Sequence, residues 1–76
     1  MTDKALLKRI VVDPKVMLGK PTVRGSRLTV DYVLGLFARG ATMEEVLAEY
    51  PGLTRQDVQA CFLFATKFLR DATFVP

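Results

Sequence analysis

The chain has 76 residues, half of them hydrophobic and a quarter charged, which is the composition of one small globular domain and excludes a disordered or fibrous protein. A single cysteine excludes an internal disulfide framework, and we expect a reducing, cytoplasmic setting. The first residues lack the apolar run of a signal peptide, and no stretch approaches the roughly 18 apolar residues of a membrane span. We therefore expect no membrane partner.

The net charge of +3 is unevenly distributed. Residues 1–27 carry seven basic side chains against two acidic ones, whereas residues 28–76 carry four against six. A basic N-terminal third favours a polyanion or an acidic protein as partner. The alternative is a solvated charged face that keeps a small protein soluble.

The first part of the chain has the pattern of a β-hairpin. Ile10–Val12 is a β-branched run closed by Asp13-Pro14, which predicts a strand followed by a turn. Thr22–Arg24 is predicted to return as a second strand, and Gly25 permits a positive φ at the next turn. A two-stranded arm is marginally stable alone, so we expect it to lean on helices.

The first predicted helix begins after Thr29 and ends at Gly40. Thr29 is a suitable N-cap, and a glycine at the end suits a left-handed stop. Apolar residues spaced three and four apart form one face: Val30, Val33, Leu34 and Phe37. Gly35 in mid-helix costs about 1 kcal/mol relative to alanine. Close approach of another segment would justify this cost, and the alternative is a weakness that the helix tolerates.

Two further helices carry capping signals. Thr42–Glu45 matches a capping box, and Thr54–Asp57 is a second one with aspartate in place of glutamate. A Pro-Gly-Leu turn separates them, which is the spacing of a helix-turn-helix pair. The third helix is predicted over about residues 55–70. Its expected core face is Val58, Cys61, Phe62, Ala65 and Leu69.

These elements predict a single domain over residues 1–76 that is mainly α, with a small N-terminal β-hairpin or arm. The architecture is a three-helix (winged) helix-turn-helix-like domain. Its parts are an N-terminal arm (1–9), a hairpin with a basic loop (10–28), three helices (29–70) and a tail (71–76) that is either frayed or a docking strand.

The third helix is too apolar for a monomer. A helix that is apolar all round must be buried all round, most simply against a second copy of the chain. We therefore predict a homodimer whose interface contains Leu63, Phe64 and Phe68. The alternatives are that another protein covers this face, or that the N-terminal arm does so with Leu6, Leu7 and Val16.

Catalytic chemistry has little support in the residues. The chain has no histidine, which removes the commonest general acid–base group and most metal sites. Cys61 lies in an apolar helix and is interpreted as a core thiol. We expect no enzyme activity, no metal and no cofactor.

A nucleic acid would contact two groups of residues. The start of a recognition helix faces the major groove, and there arginine suits guanine and glutamine suits adenine. Those residues are Thr54, Arg55, Gln56 and Gln59. Phosphate contacts, or a wing, would come from Lys20, Arg24 and Arg27. The alternative for Arg24 and Arg27 is pairing with acids of the second helix such as Glu44 or Glu49.

Four segments together resemble domain-of-unknown-function family 433. They are Ile10–Pro14, Leu18–Val30 with its Gly-Lys-Pro-Thr-Val-Arg-Gly-Ser-Arg run, Ala38–Leu47, and Tyr50–Val58. The resemblance implies a helix-turn-helix protein similar to VapB-type antitoxins, which often accompany a PIN-like nuclease toxin. It implies a small dimeric antitoxin that binds its toxin and its own operator DNA. The resemblance implies no catalytic residues. It leaves open whether the basic loop stabilises the fold, contacts the toxin or contacts DNA.

The resemblance is incomplete at the C-terminus. Many antitoxins wrap the toxin with a long tail, whereas this chain stops about six residues after its last predicted helix. Toxin contact would then use the tail, the apolar helix face or the basic arm. The leading interpretation is an antitoxin-like DNA-binding regulator. The alternative is a protein-interaction module without DNA binding, in which Arg24 or Arg27 engages acidic carboxylates of a nuclease.

Overall fold

Four α-helices and two short strands make up the part of the chain that the computed structural model describes, residues 1–70 and 72–73. In chain order they are α1 (Asp3–Leu7), β1 (Ile10–Val11), β2 (Thr22–Val23), α2 (Val30–Ala38), α3 (Met43–Glu49) and α4 (Arg55–Leu69). A short turn, Met17–Gly19, whose residues have positive φ values, lies between the strands. The predicted tail lies outside the described residues except for positions 72–73.

The predicted hairpin is confirmed. β1 and β2 pair antiparallel, with Ile10 opposite Val23 and Val11 opposite Thr22. The turn after β2 contains Gly25 at a φ of 77°, in the left-handed region that glycine adopts without a steric penalty. Thr22 and Val23 are both buried, so β2 attaches the hairpin to the core.

The three predicted helices, α2, α3 and α4, are confirmed together with their caps. Thr29 caps α2 through its side chain. At the start of α3 the Thr42 amide donates to Glu45 Oε1 at 2.8 Å, and the Glu45 amide donates to Thr42 Oγ1 at 3.2 Å. The Thr54 and Asp57 pair repeats this box at α4, with distances of 3.0 and 3.1 Å. Each box satisfies two backbone donors that the first turn leaves without helical partners.

The short helix α1 within the predicted arm was missed. Five residues contain no apolar period, and a helix of this length is unstable alone. Thr2 Oγ1 caps it by accepting from the Ala5 amide at 3.1 Å. The helix packs along α4, where Lys67 Nζ lies 3.5 Å from Asp3 Oδ2. Tertiary contact therefore forms this helix, and the arm does cover part of the second face of α4.

The core lies between β2, α2, α3 and the first half of α4. Its buried members are Val23, Val30, Val33, Val46, Leu53, Val58 and Cys61. The expected core face of α4 is wrong at two positions, because Phe62 is 45% exposed and Leu69 is 60% exposed. Phe62 lies at the edge of the face, with its ring centroid 5.4 Å from that of Phe37. Leu69 lies in the last turn, outside the small core.

Gly35 is explained by a side chain of its own helix. A Cβ atom at Gly35 would lie 3.1 Å from an Arg39 guanidinium nitrogen, so the arginine folds back over the glycine. The close approach that would justify this glycine therefore comes from one turn further along α2, and not from another segment.

An ion pair joins the hairpin to α4. Arg9 Nη1 donates to Asp57 Oδ1 at 3.0 Å, and the other carboxylate oxygen of Asp57 accepts from the Thr54 amide. The Asp57 side chain is only 12% exposed, and that of Arg9 is 34% exposed. The backbone of Arg9 in turn accepts a hydrogen bond from the Arg24 amide at 2.7 Å. One carboxylate thus fixes both the start of α4 and the position of the hairpin.

Replacing Arg9 with alanine is expected to lower the free energy of unfolding by about 1–2 kcal/mol, because one oxygen of a nearly buried carboxylate loses its partner. Urea denaturation measures the change. The matched control is Lys67→Ala, which removes a more exposed pair and should cost less than about 0.5 kcal/mol. Equal losses in the two variants would contradict the structural role of Arg9.

The thiol of Cys61 is expected to be unreactive in the folded protein. Burial, and secondarily the negative charge of Asp57, raises the pKa of Cys61 to about 12. Because the thiolate is the reactive form, labelling by a thiol reagent at pH 8 should be on the order of 100-fold slower in buffer than in urea. Fast labelling of the folded protein would show that Cys61 is not a core residue.

Candidate functional site

All seven polar residues that the sequence singles out for nucleic-acid binding are exposed: Lys20, Arg24, Arg27, Thr54, Arg55, Gln56 and Gln59. Exposure is necessary for a contact surface, but the seven do not form one surface. Four of them belong to the start of α4, Arg24 and Arg27 lie just after β2, and Lys20 borders a groove beside the last turns of α4.

The first turn of α4 presents three side chains to solvent. Arg55 makes one ion pair, with its Nη2 3.6 Å from Glu44 Oε1, and both side chains are more than half exposed. Gln56 and Gln59 are exposed and make no side-chain hydrogen bond within the described part of the chain. Thr54 differs from these three, because its hydroxyl caps the helix and also lies 3.5 Å from Arg9 Nη1.

Arg24 reaches the same end of the molecule through the hairpin. Its Nε donates to the carbonyl of Lys8 at 2.9 Å, and its amide donates to the carbonyl of Arg9. Because Arg9 is paired with Asp57, these bonds hold Arg24 near the first turn of α4. Sequence reasoning missed Arg9 as a member of the site. In the sequence, Arg9 is only a basic residue beside a predicted strand, and no local pattern indicates that Asp57 is its partner.

Arg27 lies on the turn that follows β2. Residues 23–26 of this turn face residues 49–53, between α3 and α4, across a cleft of about 290 Å³. Arg27 does not line that cleft and borders another one with Lys15 and Val16. Among the described residues neither Arg24 nor Arg27 forms a salt bridge with Glu44 or Glu49, and Glu44 pairs with Arg55 instead. The described ion pairs therefore give no support to the alternative that these arginines pair with α3.

Lys20 lies beside the last turns of α4. Its Nζ is 3.5 Å from Asp31 Oδ2, and it borders a groove formed with the last turns of α4, where Phe68 lies. A helix rises 1.5 Å per residue, so Phe68 is roughly 20 Å from Arg55 along the axis. Because it borders this groove, Lys20 belongs to a different surface from Arg24 and Arg27.

Hydrogen bonding with Thr29, and secondarily the Lys20 ammonium, lowers the pKa of Asp31.

The three residues predicted at a dimer interface differ in exposure. Leu63 and Phe64 are half-buried, and Phe68 is 77% exposed. The rings of Phe64 and Phe68 stack with centroids 6.3 Å apart and form a ridge. One apolar groove flanks this ridge on the side of α2, and a second lies on the side of Leu7 and Ile10. The ridge and its grooves are the apolar surface that α1 leaves uncovered.

The two ends of the domain therefore have different chemistry. The end at the start of α4 presents guanidinium and amide groups, which bind phosphate and the edges of bases. The end at the last turns of α4 presents aromatic and aliphatic side chains. No three metal-binding side chains cluster within the described residues. No helix in that part of the chain has the length and apolar character to span a membrane.

Comparison with known proteins places most of this framework in one family. Residues 10–65 match the family described as protein of unknown function DUF433. A crystal structure of a DUF433 member from Anabaena variabilis ATCC 29413 is similar, with a TM-score of 0.76, 31% identity and 84% of this chain covered. The chain spans 63% of the length of that protein.

A second relative is an uncharacterized protein of Archaeoglobus fulgidus. It is 56% identical over 25 residues, which are 33% of this chain and 69% of that protein. The family match extends from β1 through most of α4, and so includes the hairpin, the basic turn and the helix pair described above. The chain belongs to the DUF433 family.

Proposed function

We propose that this protein is a cytoplasmic, antitoxin-like DNA-binding regulator that acts as a homodimer in a toxin–antitoxin pair with a PIN-like nuclease. It would act by binding, with no catalysis of its own. The observation that carries the proposal is the grouping at one end of the domain. The exposed first turn of α4 lies at the same end as the basic turn of the hairpin, and Arg9 joins the two.

The first turn of α4 supplies the base-reading groups in this proposal. Arg55 is held only by an exposed ion pair to Glu44, and such pairs contribute at most about 1 kcal/mol. Its guanidinium can therefore exchange the carboxylate for a guanine edge. Gln56 and Gln59 have the donor and acceptor pair that suits adenine. Thr54 is assigned to capping, because its hydroxyl is already committed to the helix.

The hairpin supplies the phosphate contacts. Arg24 uses Nε and its backbone to hold its own position, which leaves the terminal guanidinium nitrogens to reach outward. Arg27 is exposed on the adjacent turn. Charges that neutralise phosphates contribute affinity without sequence preference and make binding salt-dependent. Lys20 is left out of this surface, since it pairs with Asp31 and borders the groove beside the last turns of α4.

The proposal also includes a second copy of the chain. One first turn of α4 reads only a few base pairs, whereas a two-fold dimer presents two such turns to successive major grooves. The apolar ridge at the opposite end of α4 lies where a partner would leave both reading surfaces exposed. The antitoxin role itself comes from the family resemblance, and the geometry supports its DNA-binding half.

Titration of a fluorescent duplex from the protein's own upstream region, over a salt series and beside random DNA, tests the proposal. Wild-type affinity should exceed that for random DNA and fall steeply with salt. Arg55→Ala should weaken specific binding by about 1–3 kcal/mol. Arg24→Ala should weaken binding to both duplexes and reduce the salt slope by about 1.

The matched control is Arg70→Ala, which removes the same charge from the other end of the same helix and should leave both affinities unchanged. If the Arg55→Ala and Arg24→Ala variants kept specific binding, the assignment of DNA binding to this surface would be wrong. If the protein bound the upstream and random duplexes with equal affinity, the regulator role would be contradicted.

One observation favours the second candidate, a protein-interaction module that neutralises a nuclease without binding DNA. Arg27 makes no salt bridge to any described residue, and it borders a cleft of about 620 Å³ together with Lys15. An unpaired guanidinium on a turn can fork onto the metal-binding carboxylates of a PIN-like site.

For this candidate, Arg27→Ala is expected to abolish inhibition of a PIN-like nuclease encoded by the neighbouring gene, measured as RNA cleavage by the mixed proteins. Arg27→Lys should restore only part of it, because lysine lacks the planar fork. Full inhibition by Arg27→Ala would exclude Arg27 as the inhibitory group.

A further inference from the structure

Leu18 is held in an unfavourable backbone conformation with its side chain in solvent. Met17, Leu18 and Gly19 have consecutive φ values of 48°, 58° and 82°, all in the left-handed region, where residues with a Cβ atom are disfavoured. The Leu18 side chain is 97% exposed. The backbone at Leu18 is therefore strained while its apolar side chain is exposed to water. Backbone outliers of this kind are concentrated at functional positions.

A groove that can receive an apolar side chain lies beside Leu18. It has a volume of about 380 Å³ and is bordered by Lys20 and Pro21. Leu18 precedes Lys20 by two residues, so their Cα atoms are at most about 7.6 Å apart. The apolar side chains that line the groove are Val30, Leu34, Phe64, Ala65, Phe68 and Leu69. Leu18 does not line the groove, but only Gly19 separates it from Lys20 at the groove edge.

We propose that a second copy of this chain docks on this surface, with Leu18 of each copy seated in the groove of the other. A surface that carries a knob and a hole side by side is self-complementary about a two-fold axis, since each knob meets the other copy's hole. The side chain of Leu18 does not enter its own groove, because it is almost fully exposed.

The charges at the rim favour a second copy over other occupants. Lys20 and Asp31 lie 3.5 Å apart at the groove edge, and their side chains are 59% and 69% exposed. About a two-fold axis, Lys20 of one copy can pair with Asp31 of the other, so both charges keep a partner. A nucleic acid would place phosphates against Asp31, and an acidic partner would do the same with its carboxylates.

The exposed apolar area also suits a dimer. Phe68, Leu69 and Leu18 are 77%, 60% and 97% exposed. Together they expose roughly 400 Å², about half of the 800 Å² that each partner buries in a standard interface. The half-buried groove walls and Pro21 supply further area. This surface lies at the end of α4 away from Arg55.

This inference shares with the proposed function only the assumption that the protein is a homodimer. Its experiment uses no DNA, so a failure to bind DNA and a failure to pair are separate results. Sedimentation equilibrium of the full chain should show a dimer. Leu18→Asn should raise the dimer dissociation constant at least tenfold, because asparagine removes the apolar knob yet tolerates the left-handed conformation. Leu18→Met keeps an apolar side chain and should preserve the dimer.

Thermal unfolding separates pairing from folding. The Leu18→Asn monomer should unfold at the same temperature as the wild-type chain diluted to its monomer, or higher, since strain is relieved. A wild-type chain that stays monomeric at 100 μM, or a Leu18→Asn chain that pairs as tightly as wild type, would overturn the proposal.

Disulfide trapping tests the reciprocal contact directly. The native thiol of Cys61 is buried, so it does not compete. Chains with Leu18→Cys mixed with chains with Leu69→Cys should, on mild oxidation, give the mixed disulfide dimer in excess over both self-pairs. A mixed product at or below the statistical proportion would show that Leu18 does not enter the partner's groove.

Discussion

The carboxylate of Asp57 is the constraint on which the rest of the structure depends. Its two oxygens serve different elements, one closing the capping box of α4 and the other accepting from Arg9, the residue that precedes β1. Without this carboxylate the two-stranded hairpin, which is too small to be stable alone, would lose its polar link to the helices. The basic turn carrying Arg24 would then lose its fixed position beside the first turn of α4.

This arrangement gives one helix two kinds of surface. The start of α4 is polar and carries exposed guanidinium and amide groups, whereas its last turns carry Phe68 and Leu69 in contact with solvent. The first surface fits a polyanion, and the second fits an apolar partner. Separation of the two by the length of the helix allows both to be occupied at once, as the proposed dimeric regulator requires.

Local patterns in the sequence predicted much of the fold, while contacts distant along the chain escaped them. The capping boxes at Thr42 and Thr54 are short-range hydrogen-bond patterns and were identified correctly. Helix α1 was missed because contact with α4 stabilises it, and Arg9 was missed because its partner is 48 residues away. Charge counting grouped Lys20 with Arg24, although the two side chains have different neighbours. Lys20 borders the groove beside the last turns of α4, whereas Arg24 donates to the carbonyl of Lys8. The exposure of Phe62 and Leu69 follows from where the small core stops, which periodicity along one helix does not reveal.

The measurement that tests the division of surfaces most directly is an amide chemical-shift map of the ¹⁵N-labelled protein titrated with its upstream duplex. The account predicts that signals of residues 24–27 and 54–59 shift with saturation, while those of residues 64–69 keep their positions. Shifts concentrated at residues 64–69, or no shifts at either end, would contradict the assignment of DNA binding to the start of α4.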